Sequence, residues 1–256
     1  MAFVVMQQGL EAPSLAQLQK GFQAIPGMVA YDAIAAARDC FGLLARGLDL
    51  EHATAMKNSL AEQKFAAEVI DETALPVLPE SRMLHRLDYT KEALVIYDPL
   101  DRGIPLPWEN ILLIAAGNVR MVEFKDIQTE RKINLSGVRA ISFTTTVTDH
   151  NFTQKYADEL LLEIIVTGGT LRYTINASKC PPTIFNSLGV RRTRDLATNF
   201  KLLLRDLLQH TPNAATNRGA ESLREDGHTA FHYRSKTLFY DEIIWILWKM
   251  ASVPPS

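Results

Sequence analysis

Three arginines, Arg191, Arg192 and Arg194, form the sharpest basic cluster in the chain. They stand just before an amphipathic segment that opens at Thr193 or Asp195. Three guanidinium groups would there meet the free backbone N–H donors of a helix start, a combination that suits phosphate-like anions. The plainer reading is a solvated loop paired with Asp195 and nearby acids. No aromatic residue interleaves with the arginines, so a nucleic-acid platform is not expected.

Other chemistry is hard to find. The sequence has no phosphate-cradling glycine loop, no GxGxxG, no HExxH and no nucleophile elbow. Of the six histidines only His228 and His232 are close together. A spacing of four suits two metal ligands on one helical face, but Gly227 and Thr229 disfavour helix and no acid or thiol stands at a matching interval. Asp149 and His150 are adjacent between expected strands, which does not make them a hydrogen-bonded pair. Cys180 precedes two prolines and no helix start that would lower its pKa. No catalytic residue, cofactor or metal is therefore expected.

Composition bounds the class. The chain has 256 residues, 27 Lys plus Arg against 29 Asp plus Glu, and 47% hydrophobic residues. That length suits two domains, and the near-neutral charge gives no general attraction to nucleic acid or anionic lipid. Two cysteines, Cys40 and Cys180, cannot make a disulfide framework or a four-thiolate zinc site. The apolar run near Phe3 has no basic segment before it and is too short for a signal-peptide core. No apolar run approaches the roughly 18 residues of a membrane span. A reduced, cytoplasmic chain is expected.

The elements that must position these residues read as α+β. Residues 1–75 give the order β-α-α-β-α-β. Phe3 to Met6 is a strand, and Leu15, Leu18, Phe22 and Ile25 recur at helical spacing after a Ser14 cap. Tyr31 and Ile34 mark a second short helix, and Phe41 to Leu48 a second strand. Asp49 caps a helix with Leu50, Ala53, Met56 and Leu60 on its inner face, and Phe65 to Ile70 closes a three-stranded sheet. In this segment Arg46, Gly47, Leu48, Asp49, Glu51, Ala53, Leu60, Glu68 and Val69 follow one another without a gap. That run resembles the C-terminal domain of the bacterial ribosomal stalk protein, and the resemblance covers about residues 15–70. It implies the fold. It does not carry over the partner, because the first two helices hold only Lys20 and Arg38 as bases.

Residues 71–81, with Pro76 and Pro79, read as a linker. Residues 82–210 then alternate: strands are expected at Met83 to Tyr89, Ala93 to Tyr97, Ile104 to Trp108, Ile111 to Ala116, Glu159 to Val166 and Leu171 to Ile175. Between them Val119 to Phe124 and Ala140 to Val147 are further candidates, with Lys125 to Gly137 as a long polar loop. Gly168-Gly169 reads as a hairpin turn. A helix with Leu196, Phe200, Leu203 and Leu207 on one stripe follows. An antiparallel β-rich unit ended by one capping helix, with the step Pro107-Trp108-Glu109-Asn110-Ile111, resembles a pleckstrin-homology-like barrel.

Residues 211–230 read as a flexible linker and residues 231–256 as a C-terminal docking helix. That helix is apolar almost all round, through Phe239, Ile243, Ile244, Trp245, Leu247 and Trp248, and must be covered by the body, another subunit or a partner. The function expected is a non-enzymatic interaction or adaptor module that meets an unknown protein partner or itself. The alternative is binding of a small ligand, anion or lipid headgroup by the β-rich unit.

Overall fold

The computed structural model describes residues 1–38, 40–136, 142–168, 170–225 and 231–252, with backbone alone over 123–136 and 142–155. The fold is α+β, with several antiparallel strand pairings and no closed barrel among the described residues. It divides into two compact units, Met1–Val119 with Glu159–Ser256, and Arg120–Asp158.

The first unit opens with β1 (Phe3–Gln7), α1 (Leu15–Gln23), α2 (Ala30–Ala36), β2 (Leu43–Leu48), α3 (Leu50–Glu62) and β3 (Ala67–Asp71). Local signals fix the helix starts. Ser14 and Gln17 form a reciprocal capping box on α1, and the Asp49 carboxylate accepts from the His52 N–H at 2.8 Å on α3. The strands pair antiparallel in the order β2-β1-β3. The sheet uses both faces. Val5 and Leu44 join Leu18, Phe22, Ala53, Met56 and Leu60 under the three helices. Val4, Met6 and Leu43 point to the other side and meet Trp245.

The chain continues through β4 (Ser81–Met83), β5 (Leu87–Tyr89), β6 (Ala93–Tyr97) and β7 (Gly103–Pro107). Two long strands follow, β8 (Ile111–Ser136) and β9 (Ser142–Val166), then β10 (Arg172–Asn176). A 3-10 stretch, Pro182–Arg191, bends at Gly189, where φ is 54°. The last elements are α4 (Leu196–His210), β11 (Ala215–Thr216), α5 (Arg218–Arg224), β12 (His232–Tyr233) and α6 (Lys236–Ser252).

β5, β6 and β7 make one antiparallel sheet. A six-stranded sheet runs β11-β8-β9-β10-β4, with β12 also on β8. The chain steps from this sheet to the other within three residues: the Leu84 N–H donates to Thr174 O at 2.9 Å, and the Tyr97 N–H to Arg86 O at 3.2 Å. Phe200, Leu203, Leu204 and Leu207 of α4 pack with Leu94, Ile114, Leu162, Ile164 and Ile175 from both sheets. One amphipathic helix thus covers strands of two separate sheets.

Three expectations change. The loop expected over Lys125 to Gly137 is strand as far as Ser136, in one element of 26 residues. Polar composition decides whether a strand is buried, not whether its backbone can pair, and Ile127, Thr129 and Ile133 keep β-branched residues in the run. Residues 137–141, with part of the expected strand from Ala140, lie outside the described residues, as does Gly169 of the expected hairpin turn. Residues 211–225 are ordered and not a linker. Asn217 caps α5, Ala220 and Leu223 are buried, and Ala215 and Thr216 pair with Leu113 and Ile114. The Asn, Ala and Thr content that suggested mobility instead suits close packing and capping. α6 starts at Lys236, five residues into the segment 231–256 expected as the C-terminal docking helix.

Candidate functional site

The three arginines separate into two environments. Arg191 is turned inward by the bend at Gly189. Its Nη1 donates to one Asp206 oxygen at 2.9 Å, and its Nη2 donates to the other and to the Tyr89 hydroxyl at 3.2 Å. The Tyr89 hydroxyl donates to Asp206. Burial opposes the Asp206 charge, yet the hydrogen bonds from Arg191 and Tyr89 outweigh it and hold the carboxyl below its ordinary range. Burial and the Asp206 carboxylate push the Tyr89 phenol up to about 12. This cluster ties α4, β5 and the 3-10 stretch together, so Arg191 is already committed to a carboxylate. His210, one turn along α4 from Asp206, stacks on Trp108 with ring centroids 4.6 Å apart and planes at 6°.

Arg192 and Arg194 face a cleft of about 820 Å3 bounded by Phe185, Leu196 and Asn199. The Arg192 Nη1 donates to Asn186 Oδ1 at 2.7 Å. Neither pairs with a carboxylate among the described residues. The start of α4 is itself occupied. The Asp195 carboxylate accepts from the Thr198 N–H at 2.7 Å, and hydrogen bonds from the Thr198 side chain and backbone lower its pKa. The anion site expected from three arginines is thus reduced to two side chains beside a helix start that already holds a carboxylate.

The apolar residues of α6 meet two different surfaces. Phe239 and Ile243 are fully buried. Phe239 packs edge-on to Tyr233 at 5.2 Å, beside Gly117 of β8. A Cβ at Gly117 would come within 2.6 Å of the Tyr233 ring, so only glycine allows this approach. One turn further, Trp245 lies on the second face of the N-terminal sheet with 4% of its surface exposed. Its Nε1 donates to Gln7 O at 2.9 Å, and its ring meets Phe41 edge-on at 5.1 Å. Ile244 and Trp248 pack against the same cluster, and Leu247 is half-buried. Arg46 reaches Asp241 at 2.8 Å. Burial still dominates there and pushes the Asp241 carboxyl up to about 6, against the help of Arg46.

A buried polar network lies between α5 and α6 and was not read from the sequence. Glu242, 1% exposed, accepts from the Arg218 N–H at 2.8 Å, from Arg218 Nε at 3.0 Å and from the Tyr233 hydroxyl at 3.0 Å. Asn217 donates to the Tyr233 oxygen at 2.8 Å, and its own Oδ1 accepts from the N–H groups of Ala116 and Ala220. The Arg218 guanidinium sits 3.7 Å over the Phe41 ring and 4.5 Å from that of Phe231. The available signal was an acidic pair, Asp241-Glu242, inside an otherwise apolar helix: buried carboxylates need partners.

Among the described residues no group of three His, Cys, Asp or Glu is placed to hold a metal ion. His228 lies outside the described residues, and Asp149 and His150 fall where the backbone alone is described. Burial pushes the Cys180 thiol up, away from the thiolate form. No helix among the described residues is long and apolar enough to cross a membrane. Compared with protein-family models, with curated proteins and with solved structures, the chain matches none.

Proposed function

We propose that the chain is a non-enzymatic interaction module whose contact element is the ribbon formed by residues 120–158. The observation that carries this is the pairing pattern of β8 and β9. Thr167 N–H donates to Asn110 O at one end, and Arg120 meets Asp158 at 3.4 Å further along, so the two strands run antiparallel. The other strands on β8 pair no further than Val119, and β10 pairs with β9 only over Leu161–Ile165. From Arg120 to Ser136 and from Ser142 to Asp158, among the described residues, each strand has only the other as its strand partner. Among the described residues each therefore carries one edge to which no further strand pairs.

A free-standing pair of strands is marginal in water, and its open edges are templates for another strand. Strand addition answers both problems and is a common mode of peptide and subunit recognition. Where side chains are described, the ribbon also leaves two large apolar groups in water, Val122 at 46% and Tyr156 at 63% exposure. Both stand two residues from the Arg120–Asp158 pair and so share its face. The resemblances to the stalk domain and to pleckstrin-homology-like domains favour the same class, since both more often bind than catalyse.

The test is excision of residues 121–157, with Arg120 and Asp158 joined through an Asn-Gly turn. The remaining body should keep a cooperative melt. It should lose the self-association or captured partner that the intact protein has in sedimentation and affinity capture. Identical sedimentation and identical captured proteins for the intact and excised chains would refute the reading.

A further inference from the structure

We infer that a cavity between α5 and α6 binds short apolar peptides of two or three residues by both of their charged ends. The cavity is about 660 Å3, within the range of roughly 300–1,000 Å3 typical of small-molecule sites. One wall is apolar, made of Phe41, Trp245, Ile246 and Met250. The opposite wall is α5, which supplies Arg218 at its start and Glu225 just past its end.

The free valences decide the ligand. Arg218 spends Nε and Nη2 on Glu242, at 3.0 and 2.9 Å, and is held between two aromatic rings. Its Nη1 has no partner among the described residues, so a fixed, preoriented guanidinium edge remains for a carboxylate. The Glu225 carboxylate likewise has no partner among the described residues. The other charges at the cavity are matched: Glu221 by Arg224 and Thr216, Lys249 by Glu68 at 3.7 Å. One open guanidinium edge and one unpaired carboxylate, on a cavity with Phe41, Trp245, Ile246 and Met250 in its lining, select a zwitterion with apolar side chains.

The spacing selects its length. Arg218 and Glu225 are seven residues apart, about 10 Å along the axis of α5 at 1.5 Å per residue. An extended peptide spans about 3.3–3.6 Å per residue, so two or three residues bridge that distance and a single amino acid does not. The inference does not depend on the ribbon.

Calorimetric titration of the full chain with Leu-Leu and Leu-Leu-Leu tests it. Both should bind. N-acetyl-Leu-Leu, Leu-Leu-amide and free leucine should each bind at least roughly tenfold more weakly, the loss of one charge-assisted contact. Glu225→Lys, a change at an exposed position, should weaken the free dipeptide and leave the acetylated one unchanged. Met250→Trp, which adds bulk to the lining, should remove binding with the melting temperature retained. No heat from either free peptide at millimolar concentration overturns the proposal. Equal affinity of the blocked and free dipeptides overturns it as well, because the charges would then select nothing.

Discussion

Replacing Trp245 with alanine should separate what α6 holds together. The indole is buried on the sheet face formed by Val4, Met6 and Leu43. Truncating a buried Trp costs about 3–5 kcal/mol in transfer and cavity terms. The lost Nε1 bond leaves the carbonyl of Gln7, a fully buried residue, without that donor and adds about 1 kcal/mol. The sum is a large part of an ordinary stability of about 5–15 kcal/mol. At about 2–4 °C per kcal/mol for a chain of this size, the melting temperature should fall by roughly 10–20 °C. Urea denaturation followed by circular dichroism gives the magnitude, and hydrogen exchange on β1 and β2 gives the place. Protection should drop there first, because α6 is the cover on that face. Gly42→Ala should act in the same direction with the indole still present: φ is +76° at Gly42, and a Cβ would lie 2.7 Å from the Trp245 Cβ and 2.9 Å from its ring Cγ. Trp245→Ala within about 1 kcal/mol of the parent would refute the docking energetics.

Two further outcomes follow from the charged groups. Burial raises the carboxyl pKa values of Asp241, to about 6, and of Glu163, so their protonated forms favour the fold. For Asp241 that stability is full below the unfolded value near 4 and is lost as pH rises through 6, and Glu163 acts in the same direction. Asp206 and Asp195 are lowered and act oppositely, losing stability below pH 4. The melting temperature should therefore peak near pH 4, decline between about pH 4 and 6 and level off above that, and Asp241→Asn should flatten the decline; superimposable curves would rule out Asp241 as its cause. Arg191→Ala should cost about 1–2 kcal/mol, discounted because its side chain is 48% exposed, whereas Arg194→Ala should stay within about 0.5 kcal/mol. Phosphate titration should shift the amides near Arg192 and Arg194 and spare Arg191. Silence at Arg192 and Arg194 ends the anion reading of the 820 Å3 cleft.

Local signals were legible because they act over a turn or a strand. Asp49 caps α3, and Ala53, Met56 and Leu60 recur on its buried face, which needs no knowledge of the rest of the chain. What was not legible is where an apolar surface goes. The periodicity of α6 says that both sides must be covered, not that Phe239 meets β8 while Trp245 meets β1. A partial signal lay in Phe3-Val4-Val5-Met6, because a strand apolar on both faces must be covered twice. Likewise, adjacency in sequence grouped Arg191 with Arg192 and Arg194, but one residue of bend at Gly189 sends the first to Asp206 and leaves the others on the cleft. The ribbon was misread for a different reason, and only in its middle: Val119 to Phe124 and the described part of Ala140 to Val147 are strand as expected, whereas the charged residues from Lys125 to Gly137 suggested a loop.

The distribution of buried polar groups bears on where recognition belongs. Glu242 with Arg218 and Tyr233, Asp206 with Arg191 and Tyr89, and Glu163 with Thr174 and Tyr240 each join elements far apart in sequence. Removing one partner from such a set leaves a buried carboxylate short of a donor or a compensating charge, so these groups hold the packing of the larger unit to one arrangement. A unit fixed in this way suits a scaffold, and binding elements work best when mounted on one. Residues 120–158 are the part that clusters apart from it, and their strands leave edges unpaired among the described residues. On the proposed reading, a partner strand would gain backbone hydrogen bonds there. The same mutations that loosen α6 should then lower stability while leaving the ribbon's binding intact at temperatures where the body is still folded.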